Sequence, residues 1–112
     1  MSIPTDPSEF IVALVSKYEQ KYEEYQTAKR AGNQAVMKTL EQYRYAGMHT
    51  RYAGLNDAFR TQFPNENVIE ITQKLVEEGK LFSRPSKGGV LLRIKEFAER
   101  SRITAAQQLL NE

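Results

Sequence analysis

The feature that most constrains this chain is a change of period at Gly79. Up to that point the apolar residues recur at helical spacing: Val68, Ile71 and Leu75 mark one face, with Ile69 and Val76 beside it. Beyond it, Leu81-Phe82-Ser83-Arg84 and Val90-Leu91-Leu92-Arg93-Ile94 are short runs rich in strand formers. They flank Pro85-Ser86-Lys87-Gly88-Gly89, a turn-forming loop. The pattern predicts a helix over residues 65–78, capped by Asn65 or Asn67. Gly79 closes it in the left-handed conformation, and a β-hairpin with a basic tip follows.

Upstream the pattern is helical. Residues 1–7, with Pro4 and Pro7, read as an extended leader. Ser8 is placed as an N-cap with Glu9 in the first turn, and Gly32-Asn33 is a stop, which predicts a helix over 8–31. Its apolar stripe is Ile11, Leu14, Tyr18, Tyr22 and Tyr25. A second helix from Asn33, with Val36, Leu40, Tyr43 and Gly47 on one face, is expected to pair with it, so that 8–47 form a helical hairpin. Gly47 and Gly54 each cost about 1 kcal/mol inside a helix, which predicts a break between 47 and 50. A shorter helix over 51–62 is then ended by Phe63-Pro64-Asn65. A closing helix is expected from Lys95 to about Leu110. The expected fold is thus mainly α: a helical hairpin over 8–47, then a unit over 48–112 with one small β-hairpin and a C-terminal helix.

Composition narrows the class. With 112 residues, 40% hydrophobic and 27% charged, the chain has the make-up of one globular domain and not of a disordered segment. The longest apolar run, residues 10–15, is too short to span a bilayer and lacks the flanks of a signal peptide. No cysteine is present, in agreement with a reducing compartment, and the chain is read as cytoplasmic. The net charge of +2 is small but unevenly placed. From Lys80 to Lys95 lie Lys80, Arg84, Lys87, Arg93 and Lys95 and no acid, whereas Glu66, Glu70, Glu77 and Glu78 crowd the preceding helix.

Candidate chemistry is sparse. His49 has no cysteine partner and no carboxylate three or four residues away, which favours a structural histidine over a metal ligand. Ser86-Lys87-Gly88-Gly89 has the wrong order for a phosphate-binding Walker loop. Glu19, Glu23 and Glu24 beside Lys17 and Lys21 read as a solvated face with weak ion pairs. The tyrosines at helical spacing read as hairpin core or a dimer seam. No nucleophile, base and oxyanion donor assemble, so no enzyme, cofactor or metal is expected.

Residues 51–94 resemble the winged helix-turn-helix family. The likeness lies in Leu75-Val76-Glu77-Glu78-Gly79-Lys80-Leu81-Phe82-Ser83-Arg84, then Lys87-Gly88-Gly89 and Val90-Leu91-Leu92-Arg93-Ile94. It implies a small DNA-binding regulator whose helix 65–78 enters the major groove while the basic hairpin meets phosphates. On that reading Asn67, Thr72, Gln73 and Lys74 lie nearest the bases. Lys80, Arg84, Lys87 and Arg93 contact the backbone, and a homodimer through the N-terminal helices presents two such units to double-stranded DNA. The four glutamates depart from the pattern. They leave open an alternative, a protein-docking module that binds no nucleic acid.

Overall fold

The computed structural model describes residues 4–96 and Leu110. The first helix, α1, runs over Pro7–Ala31. Its N-cap is Asp6 and not Ser8: the Asp6 carboxylate accepts from the Ser8 N–H at 2.7 Å and the Glu9 N–H at 3.4 Å. Pro7 occupies the first helical position, where its missing N–H costs nothing. Gly32, in the left-handed conformation, ends the helix as expected.

The expected second long helix does not form. Asn33 caps a six-residue helix, α2 (Gln34–Thr39), and a 3₁₀ turn follows over Glu41–Tyr43. Six residues give a helix little cooperative support, and no residue of α2 is buried to hold a longer one in place. The chain next forms a two-residue strand, β1 (Met48–His49), at the place where only a break was expected. Helix α3 spans Leu55–Gln62, four residues shorter at its start than expected, because 50–54 are spent on turns ending at Gly54.

Helix α4 (Val68–Glu77) is capped by Asn67, whose side-chain oxygen accepts from the Ile69 and Glu70 N–H groups at 3.0 and 3.2 Å. Gly79 then takes φ +77° and turns the chain into strand β2 (Leu81–Ser86), which pairs with β3 (Gly89–Ile94). Pro85 and Ser86, expected in the loop, belong to β2, so only Lys87 and Gly88 form the turn. Gly88 has φ +85° at the second turn position while Lys87 keeps a negative φ, the sign pair of a type II turn, which calls for glycine there. β1 pairs antiparallel with the other side of β3, giving a three-stranded sheet in the order β1-β3-β2. Lys95 and Glu96 are helical; the rest of the expected closing helix, Leu110 apart, lies outside the described residues.

A single core joins these elements. Ile11 and Val15 of α1, Leu55 and Phe59 of α3, Leu75 of α4, and Leu81 and Leu92 of the sheet are buried together. Phe10, Phe59 and Phe63 form an aromatic cluster with ring centroids 5.2–6.2 Å apart. The core therefore draws on both sides of residue 47, and the N-terminal half of α1 is a structural helix of the same unit. The fold is mainly helical with one small antiparallel sheet.

Candidate nucleic-acid interface

Helix α4 turns Val68, Thr72 and Leu75 into the core and half-buries Ile71 and Val76. Thr72 is thereby corrected from the expected outward face. It stands four residues after Val68 and three before Leu75, on the same side of the helix as both. The exposed side carries Ile69, Glu70, Gln73, Lys74 and Glu77. Gln73 and Lys74 are free to reach outward as expected. Asn67 is exposed, but its carbonyl oxygen is engaged in capping, which leaves only the amide N–H groups to offer.

The hairpin carries the second cluster. Arg84 on β2 and Lys87 in the turn are exposed, and neither has an ion-pair partner among the described residues. Lys80, at the base, is exposed and 3.3 Å from Glu78. Arg93 is different. Its guanidinium donates to both carboxylate oxygens of Glu19, at 2.7 and 3.0 Å, and stands 5.7 Å from the Tyr22 ring centroid. The Glu19 side chain is 1% exposed, so the carboxylate expected on a solvated face is inside the fold. Two expectations are corrected together. β3 is the central strand and α1 packs against it, which brings Glu19 over Arg93. A buried carboxylate without a cation would be strongly unfavourable, and this pairing takes Arg93 away from any external phosphate. The bond to Glu19 holds the Arg93 pKa above its ordinary value.

His49 positions the hairpin tip. Its Nδ1 accepts from the Arg51 and Tyr52 N–H groups, each at 3.0 Å, so the ring proton sits on Nε2 and is donated to the Lys87 carbonyl at 3.0 Å. The Tyr52 ring stacks on His49 at 4.4 Å between centroids. Thr50 reinforces the clamp: its N–H donates to the Val90 carbonyl, and its hydroxyl accepts from the Val90 N–H at 3.3 Å. Gly89 must lack a side chain, since a Cβ there would come within 2.6 Å of the Thr50 hydroxyl. The basic tip is thus held by residues some forty positions upstream. Sequence spacing gave no sign of this, because the link depends on β1 joining the sheet. Arg60 was also missed; it is exposed and lines one hollow with Asn65, Asn67 and Ile69 at the start of α4.

A scan of protein-family models and searches of curated proteins and of solved structures find no match. Among the described residues no group of three or more potential metal ligands occurs, and no helix is long and apolar enough to cross a membrane. The tyrosine stripe expected as a dimer seam is partly occupied within the chain. Tyr18 packs edge-on to Tyr43 at 5.2 Å and donates its hydroxyl to the Gln42 carbonyl at 3.2 Å. Burial and the neighbouring Tyr43 raise the Tyr18 pKa above its ordinary value.

Proposed function

We propose that this chain is a small DNA-binding protein of the winged-helix kind, in which the β2–β3 hairpin is the wing and α4 the helix offered to the major groove. The observation that carries the reading is the clamped hairpin with Arg84 on β2 and Lys87 in the turn exposed and, among the described residues, without an ion-pair partner, in a segment without acids. The reading is supported by the succession α3, α4, β2, β3, in which two helices precede the hairpin as the resemblance over residues 51–94 implies. Arg84, Lys87, Lys80 and Lys95 would neutralise phosphates, while Gln73 and Lys74 would face base edges. Arg60 joins the phosphate set at the start of α4. Pairing of two copies through the outer part of α1 would set two wings at neighbouring half-sites, and sedimentation measures that pairing.

The test is fluorescence anisotropy with a mixed-sequence duplex across a salt series. The four hairpin-side cations predict a salt slope of about −3 to −4 per protomer. Replacing Arg84 and Lys87 by alanine is expected to weaken binding to all sequences alike and to flatten that slope by about 2. Unchanged affinity in the double variant would overturn the role given to the hairpin. A second reading, docking to another protein through α4, is favoured by one observation. Ile69 is 58% exposed on that helix, among Glu66, Glu70 and Glu77. Absence of duplex binding at low salt would select it.

A further inference from the structure

A half-open groove of about 750 Å³ runs between α1, the segment after α2, and the outer side of β1 and β3. Its size falls within the range of small-molecule sites, roughly 300–1,000 Å³. Leu14, Met48 and Leu91 supply apolar surface, and the rings of Tyr18, Tyr43, Tyr45 and Tyr52 stand along it. Lys17, Lys21 and Arg44 bring the charge, and no carboxylate is among the lining residues. Three acids lie nearby: Glu24 pairs with Lys21 itself at 3.4 Å, Glu41 acts on the charge of Arg44, and Glu19 is buried against Arg93. Lys17 is thus the lining cation without an ion-pair partner or nearby acid among the described residues.

The groove is partly preformed. The Tyr18 hydroxyl is tied to the Gln42 carbonyl, and the Arg44 guanidinium lies 4.6 Å over the Tyr45 ring. Aromatic walls favour a flat ring held by stacking, and Lys17 and Arg44, with no acid lining the groove, favour a negative charge on it. They disfavour a cation. We propose that this groove binds a small planar aromatic anion whose acid group, a carboxylate or a phosphate, is met by Lys17 and Arg44. The site is separate from the DNA-binding reading and does not depend on it. His49, which also lines the groove, holds the Lys87 carbonyl at the hairpin tip, so a ligand would sit against the residue that positions the tip.

The experiment titrates the isotope-labelled full chain, without DNA, by amide chemical shifts. The probes are 4-hydroxybenzoate and adenosine monophosphate, with benzyl alcohol and benzylamine as neutral and cationic counterparts. Saturable shifts confined to residues 14–21, 42–53, Ser86 and Leu91 are expected with at least one anion, and the better anion separates carboxylate from phosphate as the acid group. The two counterparts are expected to give none. Lys17→Glu with Arg44→Glu is expected to weaken the anion by about tenfold or more. Both side chains are exposed, so the fold is retained, and an unchanged melting temperature checks this. No saturable shift with either anion, equal binding of the neutral or cationic ring, or undiminished binding in the variant would each overturn the proposal.

Discussion

Two side chains whose sequence context looked ordinary carry much of the internal order. Glu19 lies in a run of alternating charge, where solvation is the default reading, yet it is the partner of Arg93 across 74 positions of sequence. Removing it by Glu19→Ala takes away the carboxylate to which the half-buried Arg93 guanidinium donates twice, with an expected cost of about 1.5–3 kcal/mol in urea unfolding. Replacing both members with apolar residues, Glu19→Leu with Arg93→Met, should recover most of that loss, because the desolvation penalty goes with the charges. His49→Ala removes the acceptor for two backbone N–H groups and the donor to the Lys87 carbonyl. The expected loss is about 1–3 kcal/mol, together with faster hydrogen exchange at the hairpin tip and unchanged exchange in α1.

Helix ends followed local chemistry more closely than helix lengths did. Gly32 and Gly79 close their helices in the left-handed conformation, and Asn67 caps α4 with two hydrogen bonds. Asn67→Ala is expected to cost about 0.5–2 kcal/mol in thermal unfolding, whereas Asn67→Asp should retain the cap. The same pair separates capping from base contact. Aspartate keeps the fold but sets a negative charge toward the duplex, so a stable Asn67→Asp protein with weakened DNA binding would tie this residue to the interface. Where sequence reasoning went astray was the stretch after Asn33. Val36, Leu40 and Tyr43 have helical spacing, but this stretch divides into α2, a 3₁₀ turn and then a strand. Period alone does not say whether a helix has a neighbour to bury its stripe against.

The arrangement of the elements places α1 in the same core as the sheet. Phe59 is fully buried at the centre, in contact with Phe10 of α1 and Phe63 beyond α3. Phe59→Ala should therefore cost about 3–5 kcal/mol. Probes in α1 and in β3 are expected to report the same unfolding midpoint; separate midpoints would mean that the long helix forms a unit of its own. The hairpin projects from this core, and its tip is held by β1 and the turns after it.

What the chain settles locally is the existence of α1, α3 and α4, the glycine stops at Gly32 and Gly79, the Asn67 cap, and the β2–β3 hairpin. Each depends on the spacing and backbone preferences of neighbouring residues. Which charges are available outside was decided by long-range packing. Thr72 and Arg93 looked as exposed as Gln73 and Arg84 until α4 was seated on the core and α1 laid against β3. Strand β1 is the plainest case. Met48-His49 is two residues long and has no strand signal of its own, and it exists because β3 offers an unpaired edge for it to bond.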